Sequence, residues 1–149
     1  MIDRIRENTL HLMKIPGLAG HEDQVRYFIK EELKKIGLTP FFDKFGNITV
    51  TFPGAGPRVM LFAHMDQLGL IVRKIEDDGF LRFERVGGVP EKILPGQAIS
   101  AISKNGSTLP GIIGIKSHHA TQPEEKYKVL SYRDLYICLL YTSPSPRDR

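Results

Sequence analysis

Residues 59–69 read VMLFAHMDQLG, from Val59 to Gly69. Five apolar residues, Val59 to Ala63, run straight into a histidine and an aspartate one position apart. A run that is apolar at every position suits a central strand covered by helices on both faces. In open α/β sheets, ligands gather just past the carboxyl ends of strands, which is where His64 and Asp66 fall. Side chains alternate along extended chain, so positions 64 and 66 face the same way. The stretch therefore predicts an α/β domain with a titratable pair at the rim of its sheet.

The residues before it fit that reading. Ile2, Ile5, Thr9, Leu12 and Met13 trace one face of a helix that Pro16-Gly17 ends. A second helix is predicted from about Glu22 to Ile36, with Val25, Phe28, Ile29, Leu33 and Ile36 as its buried stripe. Glu22 and Asp23 open this helix and Lys34 and Lys35 close it, as the helix dipole favours, and Gly37 supplies a left-handed stop. Two extended segments then flank Phe45-Gly46-Asn47, and Ile48 to Phe52 alternates like a strand.

Beyond Gly69 no helical period is convincing. Leu70–Ile75 and Phe80–Val86 flank Asp78-Gly79, a hairpin signal, and Ala98–Ser103 and Leu109–Ile115 flank Asn105-Gly106-Ser107, a second one. Short strands with glycine turns at this spacing predict a small antiparallel barrel or sandwich. The division that follows is 1–68 for the start of an α/β domain, 69–137 for a small β domain, and 138–149 for a tail. CLLYTSPSPRDR, residues 138–149, fits neither pattern; it reads as sequence foreign to the native protein in preference to a flexible Ser/Pro tail.

Composition narrows the function classes. The 149 residues carry 21 Lys and Arg against 17 Asp and Glu, a formal charge of +4. The two signs alternate with no basic block, so a nucleic-acid footprint is not expected. No apolar run reaches the roughly 20 residues that span a bilayer, and the amino terminus lacks the apolar core of a signal peptide. The expectation is a cytoplasmic protein without a membrane partner. Cys138 is the only cysteine, so no thiolate metal site or internal disulfide can form.

A neutral imidazole is a good ligand for zinc or cobalt, and a nearby carboxylate can accept its other ring N–H and fix the tautomer. His64 is thus the candidate metal ligand and Asp66 the acid that holds it. The same pair also fits a strand-end histidine capping backbone groups, or two members of a Ser-His-Asp triad. No nucleophile-elbow pattern accompanies it. Glu124-Glu125 is read as a solvated loop pair, as charge runs usually are. Neighbouring side chains on extended chain point apart, so His118-His119 cannot easily grip one ion; it is read as a pair of surface histidines, with a substrate-cleft or oligomer contact as the alternative. His11 and His21 sit in helical segments without ligand spacing.

Several ordered segments go together with the pair. Ile15-Pro16-Gly17-Leu18-Ala19-Gly20-His21-Glu22-Asp23 opens the second helix, and Phe45-Gly46-Asn47 follows it. Asp78-Gly79-Phe80-Leu81-Arg82, Val86-Gly87-Gly88, Leu94-Pro95-Gly96-Gln97 and Gly111-Ile112-Ile113-Gly114 punctuate the β region, with Lys116 to Ala120 and Pro123 to Tyr127 after them. With the 59–69 stretch, they resemble the co-catalytic metallo-aminopeptidases, a group that includes glutamyl and deblocking aminopeptidases. The resemblance covers about residues 9 to 137.

The resemblance implies a zinc-peptidase-like α/β domain carrying a dimerisation-type β insert. It puts the family's first metal ligand on His64 and its supporting acid on Asp66. Position 67, often glutamate in that family, is Gln67 here. It further implies two divalent ions, zinc or cobalt, a two-metal-activated water, peptide substrates, and dimers assembling into a tetrahedral dodecamer. The family's other ligands and its catalytic glutamate fall beyond the stretch matched, so the 149 residues alone are expected to be inactive. Two other classes stay open: a non-catalytic β assembly or binding module, and a glycoside hydrolase, which would need two flanking carboxylates.

Overall fold

The computed structural model describes residues 2–117, 119, 121–125 and 127–140. The chain divides into two compact units, Met1–Gln67 and Leu68–Arg149.

In the first unit, helix α1 spans Ile2–Leu12 and helix α2 spans Asp23–Lys35. Helix α2 is laced by Asp23–Arg26, Glu31–Lys34 and Glu32–Lys35 ion pairs at 2.8, 3.0 and 2.5 Å. Pairs at this spacing each add a few tenths of a kcal/mol, about 0.2–0.5. Its end is a Schellman turn. Gly37, at φ +78, lets its own N–H reach Lys34 O at 2.9 Å and the Leu38 N–H reach Leu33 O at 3.1 Å.

A two-residue ladder joins β1 (Phe41–Phe42) to β2 (Ile48–Thr49) around a turn with Gly46 at φ +84. Asp43 organises that turn. Its carboxylate accepts from the Phe45 and Asn47 N–H groups, each at 2.9 Å, and from the Asn47 side-chain amide at 2.6 Å. The Asn47 side chain chiefly, with the backbone N–H groups, holds the Asp43 carboxyl below the usual aspartate range. A lowered value means that the charged form stabilises the turn. This contribution is present above the usual aspartate range and fades as pH falls through the lowered value. An acid titration followed at the Phe45 and Asn47 amide resonances is expected to show that low midpoint, and Asn47→Ala to raise it. An unchanged midpoint in Asn47→Ala would contradict this account of the turn.

Three expectations for this unit need correction. Val59–Ala63 is not a buried strand: residues 50–66 lie outside any helix or strand, and Val59, Met60, Leu61 and Phe62 are 80, 81, 93 and 89% exposed. A strand needs a neighbour to complete its ladder, and none of the described residues pairs with this segment. The helix stripes are also only partly covered. Val25 is 3% exposed, but Ile36 is 50% exposed and α1 buries no residue. Finally, the strand expected over Ile48–Phe52 stops at Thr49.

The second unit holds one antiparallel sheet in the order β3-β4-β7-β6-β5. Strands β3 (Gly69–Ile75) and β4 (Leu81–Val86) form the hairpin turned at Asp78-Gly79, with Gly79 at φ +85. Strands β5 (Ala98–Ile102) and β6 (Thr108–Gly114) form the second, turned at Asn105-Gly106. Strand β7 (Tyr136–Leu139) lies between them, placing Ile137 opposite both Leu81 and Ile113. The boundary expected at 138 falls inside this strand, where Cys138 and Leu139 pair with Ile112 and Gly111.

One face of the sheet carries the core. Leu81, Phe83, Leu94, Ile113, Leu135 and Ile137 are all at most 5% exposed, with Leu70, Val89 and Ile99 packed at its margin. Gly111 lets β7 come close. A Cβ there would stand 2.9 Å from Ile99 Cδ1 and 3.1 Å from the Cys138 carbonyl oxygen. The Tyr132 hydroxyl donates to Glu84 at 2.5 Å while Arg85 lies 4.6 Å over its ring and donates to Val89 O at 2.8 Å. These contacts fasten the segments at 89 and 132 onto β4. No helix among the described residues is long and apolar enough to cross a membrane.

Candidate functional site

The pair at 64 and 66 forms as its spacing suggests. His64 Nδ1 lies 2.9 Å from Asp66 Oδ1 and 3.1 Å from the Asp66 carbonyl oxygen. Both partners are acceptors, so the proton they share belongs to Nδ1. That tautomer leaves the Nε2 lone pair for a ligand. The two side chains are 85% and 45% exposed, so this nitrogen is open to solvent.

What holds the pair in place is the turn after α1. Gly17, itself buried, accepts a hydrogen bond from the Gln67 N–H at 2.6 Å, and Leu18 and Gln67 form a parallel bridge. The Gln67 side-chain amide reaches Leu12 O at 3.4 Å, near the end of α1. A glutamate at 67 has no N–H to offer that carbonyl. Sequence reading gave Gly17 only a place in the turn between the two helices. The signal it lacked is contact between residues 50 positions apart, which no local pattern reveals.

A metal site asks for three or four protein ligands. Among the described residues, no group of three or more His, Cys, Asp or Glu side chains converges. His64 and Asp66 fit one ligand and its support, and do not make a closed site. The other candidates point elsewhere. The His11 ring packs on Phe28 with centroids 4.6 Å apart, and Glu125 pairs with Lys116 at 3.5 Å. Glu124, His21 and His119 are exposed, and His118 lies outside the described residues.

Comparison with known proteins decides the lineage. The family model for M42 glutamyl aminopeptidase matches residues 46–143, a span holding both the His64–Asp66 pair and the whole of the five-stranded sheet. The chain belongs to the M42 glutamyl aminopeptidase family. Among relatives of this family, the lysyl aminopeptidase of Pyrococcus furiosus is 35% identical over 109 residues, covering 72% of this chain and 31% of the relative. Solved structures agree in fold. A TET aminopeptidase from a marine sediment Thaumarchaeota archaeon superposes with a TM-score of 0.83 at 31% identity, over 91% of this chain and 38% of that one. A TET peptidase of Pyrococcus horikoshii, which can assemble into a tetrahedron or a large octahedral shell, gives 0.79 at 32% identity, over 89% and 39%. The chain spans between 30 and 40% of the length of the curated relatives it matches most strongly. Mixed α/β architecture with an antiparallel sheet is thus a family trait that this chain shares.

Proposed function

We propose that this chain belongs to a metal-dependent aminopeptidase that hydrolyses the N-terminal residue of peptides. The observation that carries the proposal is the His64–Asp66 pair, with Nδ1 engaged and Nε2 open, inside a chain of this family. His64 would bind a divalent ion, zinc or cobalt, through Nε2, and Asp66 would fix the imidazole and raise its basicity. When bound, a pair of such ions supplies an activated water and polarises the scissile carbonyl. This chain's residues hold and orient one ligand; the remaining ligands are assigned to sequence that the relatives have and these 149 residues do not span. The 149 residues alone are therefore proposed to lack peptidase activity.

In the same reading, residues 1–68 belong to the catalytic α/β domain and 69–137, with the remainder of β7 to Leu139, to a β insert that supports homo-oligomers. The neighbouring TET peptidase assemblies motivate the last point. A cytoplasmic location is part of the proposal.

The test uses an enzyme extended to the full length of the relatives with this segment in place. His64→Ala is expected to lose bound metal, measured by elemental analysis. Amino-acid release from unblocked peptides should fall by about 10²-fold or more, since an open catalytic site has few ligands to spare. Unchanged metal content and unchanged peptide trimming would overturn the proposal.

A further inference from the structure

We propose that Gly17 is a positioning residue for the His64–Asp66 pair, through its carbonyl and through its missing side chain. The inference rests on the reading of His64 as a ligand and adds what sets its geometry. From Val50 to Asp66, the described residues make no backbone–backbone hydrogen bond. The first tie is the Gln67 N–H to Gly17 O at 2.6 Å, three residues beyond the imidazole. A histidine at the end of an untethered segment cannot hold one orientation, because each free backbone dihedral before it spreads the side chain over several positions. The tie at 67 removes that freedom where it matters, and Asp66, one residue away, then meets Nδ1 at 2.9 Å.

Only glycine fits the seat. A Cβ at position 17 would lie 2.7 Å from Val25 Cγ2 and 3.5 Å from the Met65 carbonyl oxygen. Val25 is 3% exposed and belongs to α2, so it cannot swing aside into solvent. The 2.7 Å contact must be relieved by moving the 16–18 turn away from α2, and the turn carries the carbonyl that receives Gln67. Position 17 thus links the packing of α2 to the placement of the pair. The backbone is not itself strained, since Gly17 is absent from the glycines with positive φ.

The test reads the tautomer of His64 directly, from the ring nitrogen resonances of the 149-residue chain, with no metal added. In the wild type, Nδ1 should carry the proton. In Gly17→Ala, that signature should be lost in favour of the solvent-like mixture. Val25→Ala removes the obstructing methyl, so the double variant Gly17→Ala/Val25→Ala should regain the wild-type signature, with Val25→Ala alone as control. Retention of the Nδ1–H form in Gly17→Ala would overturn the inference, as would a double variant that folds without regaining it. If Gly17→Ala fails to fold, the double variant carries the test. Unfolding of both would also overturn the inference, by making Gly17 a folding residue only. Because the readout needs no metal, it separates from the function proposal: unchanged metal content in His64→Ala would sink that reading and leave this result standing.

Discussion

Phe83→Ala is expected to cost the second unit about 3–5 kcal/mol, the range for truncating a fully buried phenylalanine. The ring is 2% exposed, at the centre of the cluster formed by Leu81, Leu94, Ile113, Leu135 and Ile137. Leu81, Ile113 and Ile137 sit on paired strands and cannot collapse into the space without breaking ladder bonds. Domains of ordinary stability hold about 5–15 kcal/mol in total, so a loss of this size removes a large share of it. Phe62→Ala is the matched control. It removes the same side chain from a position 89% exposed, and its effect is expected to stay within about 0.5 kcal/mol. Urea melts of the two variants, followed by far-ultraviolet dichroism, would distinguish them. Equal shifts would mean that burial in this structure does not measure packing.

The second large effect concerns Asp66. In the full-length enzyme, Asp66→Ala is expected to weaken metal binding by about 10–100-fold, the usual cost of removing the group behind a histidine ligand. The cause is loss of the Nδ1–H···Oδ1 bond at 2.9 Å, which fixes the ring's tautomer and direction. Competition titration against a chromophoric chelator measures the change. An affinity equal to wild type would make the aspartate a bystander, with the Asp66 carbonyl oxygen at 3.1 Å sufficient to hold the ring.

Much of this was legible in the sequence because it is local. The two helices, the Gly37 stop and both hairpin turns follow from periodicity and from glycines at positions that need positive φ. The His64–Asp66 contact was legible in part, since alternation puts positions 64 and 66 on one side of extended chain, while the tie that orients them was not. What failed was long-range. The Val59–Ala63 run has the composition of a buried strand, but composition supplies no partner, and these residues stand exposed. Strand β7 went unread because Tyr136-Ile137-Cys138-Leu139 is short, lacks a turn signal of its own, and gains its place only from Leu81 and Ile113. The seat at Gly17 was hidden for the same reason: its partner is Gln67.

The placement of β7 also sets an order of assembly. The two hairpins meet in the sheet only through a strand that is made last, so neither has its inner neighbour until Leu139 has left the ribosome. An isolated two-stranded hairpin is marginal in water. During synthesis, β4 and β6 must therefore wait with their inner edges bare, and released chains ending before residue 136 should be digested by protease while chains that include β7 resist it.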